Sequence, residues 1–216
     1  MIPFGLGPDV LLGRVLVILL GIPLHEWAHG WAAHLLGDET PEMQGRLSLN
    51  PFIHLDPVGT LAILLTGFGW GRPARVNPYR MTSVRNPRVG MAITAVAGPL
   101  SNIIQAIILV LPFRLGLLDL LAPTQAERVA NLLFVAIAVN IGLAVFNLLP
   151  IPPLDGSRIL AGVAPPSVGD AIESLEPYAG MILILVLFVL PMVGLDVVGT
   201  LALPFQRFMM RALFTW

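Results

Sequence analysis

The chain has 216 residues, 56% of them hydrophobic and 12% charged, against roughly 45–50% and 25% in typical soluble domains. That shortage of polar surface excludes an ordinary soluble domain. A net charge of −1, with no Lys among twelve basic residues, leaves no basic field for nucleic acid, and zero Cys excludes a disulfide framework, a Cys nucleophile and an iron–sulfur site.

In chain order, the uncharged runs predict an all-α polytopic membrane protein, one membrane-embedded domain over 1–216 with four spans. The first span covers about 9–36 and carries Arg14, His25, Glu26, His29 and His34, ending at Gly37-Asp38 as a C-terminal glycine. No basic stretch precedes it and no small-residue cleavage site follows, so a cleaved leader is not expected. Residues 57–71 are uncharged and Gly-rich but too short to span, which predicts a re-entrant or interfacial segment. Alternations such as Arg46-Leu47-Ser48-Leu49 predict short β-hairpins in the first loop. Further spans follow at about 89–113, 129–149 and 178–203, the last kinked at Pro191. Arg207 and Arg211, set among Phe205, Phe208 and Met209, predict an interfacial helix with Trp216 at the headgroups.

Arg placement sets the orientation. Seven Arg fall in or at the edge of the loops 37–88 and 149–178, and four (Arg114, Arg128, Arg207, Arg211) on the opposite side. The positive-inside rule therefore puts those two loops in the cytoplasm and both termini outside.

Polar groups kept at membrane depth carry the chemistry. His25-Glu26-Trp27-Ala28-His29 places two imidazoles four residues apart, roughly 40° apart on one helical face and one turn along. Such a pair can bind one zinc ion, with Glu26 at the flank as general base. With four His in the chain, the pattern arises by chance in about 0.2% of such compositions. The bland alternative, two packed histidines with Glu26 paired to one, requires an ionisable Glu in a membrane helix without a strong partner. His34 lies on the opposite face and is read as interfacial.

A catalytic zinc takes three protein ligands, and Asp155 stands out as the third. It closes Asn147-Leu-Leu-Pro150-Ile-Pro152-Pro153-Leu154-Asp155-Gly156, where three prolines break the helix after the third span. Non-helical backbone at that depth belongs in a protein interior or a wet cavity. An ordinary helix-ending loop with a solvated Asp is the alternative.

HExxH in the first span together with Asn-x-x-Pro-x-Pro-x-Leu-Asp-Gly after a later one resembles the site-2 protease family of intramembrane zinc metalloproteases. The stretch Gly45-Arg-Leu-Ser-Leu-Asn50-Pro51-x-x-His54-x-Asp56-Pro57-x-Gly59 resembles the loop of its compact members without PDZ or CBS domains. Ala97-Gly98-Pro99-x-x-Asn102 resembles the second core helix, and Asn140 shares a stripe with Asn147. The resemblance covers about 25–160. It implies one Zn2+ held by His25, His29 and Asp155, with Glu26 activating water, in the bilayer near its cytoplasmic side. It also implies membrane-anchored substrates, such as anti-sigma factors or remnant signal peptides; a regulatory module would be a separate chain. Asn147 is expected to donate hydrogen bonds to substrate or oxyanion. Asn140 is set beside it as a substrate contact or as helix-binding glue, His54 as an active-site neighbour, and Asp56 as an N-cap before Pro57. Two other classes are weighed. A di-iron oxidase needs more His than four, and a non-catalytic adaptor or transporter would keep the motif only as packing.

Overall fold

In the computed structural model, which describes residues 7–67 and 69–215, four helices are long and apolar enough to cross a membrane. They are α1 (Pro8–Leu35), α3 (Pro87–Arg114), α4 (Pro123–Asn147) and α6 (Pro166–Met192). Between them lie the short α2 (Pro57–Thr66) and α5 (Asp155–Val163), and α7 (Val197–Phe214) follows α6. Trp216 lies outside the described residues, so its expected headgroup position is not among them.

Proline sets where most of these helices begin. Pro8, Pro57, Pro87, Pro123 and Pro166 each occupy a first helical position, where a missing N–H costs nothing and φ is already helical. The third span accordingly starts at Pro123, six residues before the expected 129, and takes Glu127 and Arg128 into its first turns. Gly37, at φ 103°, ends the α1 region as expected. Asp38 then ties that end to the loop: it is fully buried, accepting from Thr40 N at 3.0 Å and Asn77 N at 2.6 Å.

The expected hairpins are not formed; no strand occurs among the described residues, and one isolated antiparallel bridge joins Leu55 to Gly71. The loop's polar backbone groups are met by side chains instead, and Pro51, Pro57, Pro73, Pro78 and Pro87 have no N–H for a ladder. Asp56 caps α2 as expected, accepting from Val58 N at 3.0 Å and Gly59 N at 2.9 Å. With 10 residues α2 spans roughly 15 Å, too little to cross a bilayer. It ends at Gly67 (φ 77°), after which the chain passes back against α2: a Cβ on Gly69 would strike the Gly59 carbonyl, and one on Gly59 the Trp70 carbonyl.

The last expected span, 178–203, differs most. Gly194 at φ 85° ends the α6 segment, and Asp196 starts α7 by accepting from Gly199 N at 2.7 Å. α7 does not stand apart as an interfacial helix: Ala202, Met209, Met210 and Leu213 pack on Ala106, Val110, Ile137 and Ile141 of α3 and α4.

A second cluster joins α1, α2 and α4 through Val17, Ile22, Ile63, Val135 and Val139. α3 lies at the centre, against α1, α4 and α5. α6 is the outlier: its most apolar window is 6% buried, whereas that of α4 is 61% buried. Arg88 holds its first turns to α3 through a two-pronged bond to Glu173 at 2.7 and 2.8 Å and a further one to Asp170.

Candidate metal centre

The centre begins with a distortion in α1. Pro23 cannot donate a helix bond, and the turn before it widens into a π-helix, Val17–Gly21. The carbonyl of Gly21 then accepts from Asn102 Nδ2 of α3 at 3.2 Å. Helical geometry resumes at Ile22 and carries His25, Glu26 and His29 inward. The third contributor comes from α5, which also packs on α3. The proline-rich break ends at Leu154, and Asp155 is the first residue of α5, where the positive end of a helix favours a carboxylate. Gly156 is needed for the approach, since a Cβ there would strike the carbonyls of Leu148 and Leu149.

His25, His29 and Asp155 converge. His25 Nε2 and His29 Nε2 are 3.0 Å apart, and Asp155 Oδ2 lies 3.4 Å from the first and 3.2 Å from the second. Both imidazoles have their other nitrogen committed. His25 Nδ1 faces Asn102 Oδ1 at 2.6 Å and His29 Nδ1 faces the Thr94 carbonyl at 2.8 Å. Both partners are acceptors, because Asn102 Nδ2 is itself donating to the Gly21 carbonyl and to Asn140 Oδ1 at 2.8 Å. Each Nδ1 must therefore carry the proton, and each Nε2 presents a lone pair.

Two lone pairs and a buried carboxylate oxygen that lacks any hydrogen-bond donor then face one point. Buried acceptors left unmet cost about 1–3 kcal/mol each, and a divalent cation satisfies all three at once. Zinc bonds of about 2.0–2.1 Å in a tetrahedron put ligand atoms roughly 3.3–3.4 Å apart. The observed separations of 3.0, 3.2 and 3.4 Å reach that range or fall within about 0.3 Å below it, so the residues fit zinc.

Gly98 makes the space. A Cβ on it would collide with His29 Nε2 and lie 2.7 Å from His25 Cε1. Gly98→Ala should strengthen α3 as a helix, by roughly 1 kcal/mol, yet lower metal affinity by at least the roughly 10–100-fold seen for outer-shell changes. Metal analysis of the purified variant checks this; full occupancy would mean that the imidazoles can move aside.

Glu26 is buried beside the centre and accepts from the Ala74 backbone N–H at 3.2 Å. Asn147, at the end of α4, is half-buried, with Nδ2 donating to the Leu143 carbonyl at 2.9 Å. Two further expected site residues have their side chains bonded away from the three converging atoms. Asn140 is 1% exposed and lies behind Asn102, donating to the Ala136 carbonyl at 3.0 Å; it braces the residue that orients His25 and offers no surface to a substrate. His54 is fully buried in the first loop, with Nε2 on the Ser48 carbonyl at 2.8 Å. His34, on the far face of α1, lies 3.4 Å from Glu42 and stacks on Trp31. Asn102 and Thr94 are the functional residues that sequence reasoning undervalued. A polar residue in an apolar helix signals a buried partner without naming it, and Thr94 acts through its backbone.

The model for "Peptidase family M50" matches residues 112–190, which include Asp155 but not the HExxH helix. "Putative zinc metalloprotease YwhC" of Bacillus subtilis (strain 168) is 42% identical over 182 residues, covering 82% of this chain and 80% of that protein. The similarly named Rip2 of Mycobacterium tuberculosis (strain ATCC 25618 / H37Rv) is 32% identical over 179 residues, 80% of this chain and 65% of Rip2. Its counterpart in Mycolicibacterium smegmatis is 30% identical over 180 residues with the same coverage. No solved structure matches. With HExxH and Leu-Asp-Gly brought to one point and a relative aligned over most of both chains, the chain belongs to peptidase family M50, the site-2 protease family.

Proposed function

We propose that the protein is an intramembrane zinc endopeptidase that cleaves membrane-anchored substrates in or near their transmembrane segments. The observation that carries this reading is the convergence of three acceptor atoms, from His25, His29 and Asp155, inside a bundle of membrane-length helices. In this reading those three residues hold zinc, which when bound polarises the scissile carbonyl and makes water acidic enough to attack near neutral pH.

The chain's own groups do the rest. Glu26 takes a proton from the attacking water at its free carboxylate oxygen and returns it to the leaving amine, so the peptide C–N bond breaks with a new carboxylate and a new amine as products. Asn102 and the Thr94 carbonyl keep both Nδ1 atoms protonated, so neither ring can turn its lone pair away. A substrate helix must unwind to expose its backbone, and Asn147 is the nearby amide that can turn from Leu143 to meet it. The Arg distribution puts the loops 37–88 and 149–178, and with them the centre, toward the cytoplasm. In the same reading α2 is a re-entrant helix, its Val58, Leu61 and Leu65 facing lipid.

The test is a comparison of single-pass membrane proteins in cells making the native chain or Glu26→Gln. Full-length or pre-trimmed single-pass fragments should accumulate in the variant. Identical fragment profiles would sink the protease assignment.

Asn147→Ala is a separate prediction. Removing a donor to the oxyanion costs on the order of 10²–10³ in rate, so the variant should keep metal and fold and lose most cleavage. Near-native cleavage, or failure to accumulate in the membrane, would make Asn147 a helix cap instead.

A further inference from the structure

Residues 72–77 run past Glu26 without regular secondary structure, and most of their bonded N–H groups pair with side chains. Pro73 removes one N–H and biases Arg72 away from helix. Of the remaining N–H groups, Arg72 donates to the His54 carbonyl at 2.7 Å. Ala74 donates to Glu26 Oε2 at 3.2 Å, Arg75 to Gln44 Oε1 at 3.3 Å and Asn77 to Asp38 Oδ2 at 2.6 Å. Three of these four acceptors are side chains: Glu26 of α1, Asp38 just after it and Gln44 at the end of the short helix Thr40–Met43. Gln44 pairs in both directions, its Nε2 donating to the Arg75 carbonyl at 3.2 Å.

Arg46 closes the arrangement from the other side. It is 9% exposed, and its Nη1 donates to the carbonyls of Ile53 and of Arg72, the latter at 3.3 Å. Burial and the neighbouring Arg72 hold its guanidinium below the ordinary arginine range, and Glu26 opposes them. A buried arginine kept against that penalty has work to do.

We propose that Arg46 is a positioning residue, which clamps residues 71–77 so that the Ala74 N–H fixes one oxygen of Glu26 and leaves the other free to take the proton from water. This rests on the assignment of Glu26 as general base. The carboxylate sits at the end of three rotatable bonds, and without the Ala74 bond no other hydrogen bond to Glu26 occurs among the described residues. Gly71 lets the segment come this close: a Cβ there would lie 3.1 Å from Glu26 Cγ and closer still to Ile22. The clamp acts on orientation, where small displacements cost as much as 10²-fold in rate.

The test uses the zinc-loaded full chain and a fluorophore–quencher transmembrane peptide in detergent. Arg46→Gln should lower kcat about 10–100-fold with KM and metal content little changed, and Arg46→Lys should recover part of the loss. Ala74→Pro, which deletes the N–H that Glu26 accepts from, should reproduce the kcat defect if Arg46→Gln fails to fold. Combining the two should add little beyond the larger single effect. Hydrogen exchange gives an arm independent of catalysis: Glu26→Ala should expose the Ala74 amide and leave the Asn77 amide, held by Asp38, protected. Unchanged kcat in both single variants, a loss in KM alone, or unchanged Ala74 exchange would overturn the proposal. A zinc-loaded native chain that cleaves no peptide would overturn the protease reading and this role with it.

Discussion

Glu26→Gln is expected to abolish cleavage and leave the zinc content of the protein unchanged. The substitution preserves size and keeps a carbonyl oxygen able to accept from Ala74 N–H, which lies 3.2 Å from the native carboxylate. It removes the one property that an amide lacks, the capacity to take and return a proton. General base catalysis contributes about 10²–10⁴ in rate, and the same group serves as acid toward the leaving amine, so the loss should lie at the upper end. Zinc should persist because the three converging atoms belong to His25, His29 and Asp155, and the amide in place of the Glu26 carboxylate would leave their spacing intact. Metal analysis and peptide cleavage on one preparation separate the roles: His25→Ala and His29→Ala should lose metal and activity together. A Glu26→Gln protein stripped of zinc would show that Glu26 supports the metal rather than the proton.

How much of this was legible in the sequence depends on which physical signal each residue leaves. Charge-free runs located the spans, because a bilayer tolerates few ionised groups, but they misplaced helix starts. The start of α4 follows Pro123, not the last charge before the apolar run. HExxH and Leu-Asp-Gly were readable because metal ligation restricts residue type and spacing together. Their meeting point was not, since it depends on Gly98 and Gly156 permitting backbones to approach, and a glycine in sequence does not name its neighbour. Asn140 and Asn147 share a stripe, seven residues apart, yet one braces Asn102 at 2.8 Å and the other bonds back to its own helix. Periodicity gives a face; it does not give depth. The break at Gly194 was hidden by an apolar run on both sides of it. Hydropathy there registers lipid and protein contact alike, so it could not distinguish the exposed α6 from the packed α7.

Asp155→Asn should cross over in its effect on stability, depending on metal. With zinc present, the variant loses the anionic ligand and should bind metal more weakly by well over the roughly 10–100-fold that outer-shell changes produce; two imidazoles and an amide oxygen make a poor site. With metal removed by a chelator, at a pH alkaline enough to keep both imidazoles neutral, the order should reverse. While both rings are neutral, the native chain then leaves Asp155 Oδ2 facing two imidazole nitrogens at 3.2 and 3.4 Å that are acceptors as well, whereas a ring that takes up a proton donates to it. An Asn at this position can turn its amide nitrogen inward and donate to either ring, which removes about 1–3 kcal/mol of unmet polarity. Thermal unfolding of both proteins, zinc-loaded and chelated, reads the crossing directly. If Asp155→Asn is less stable in both states, Asp155 serves mainly as the first residue of α5, where its charge favours the helix by a few tenths to about 1 kcal/mol. If the variant keeps full zinc occupancy while Asp56→Ala loses it, the third ligand lies in the first loop. That second outcome runs against Asp56 already having Oδ1 committed to Val58 and Gly59, and the crossing is therefore the expected result.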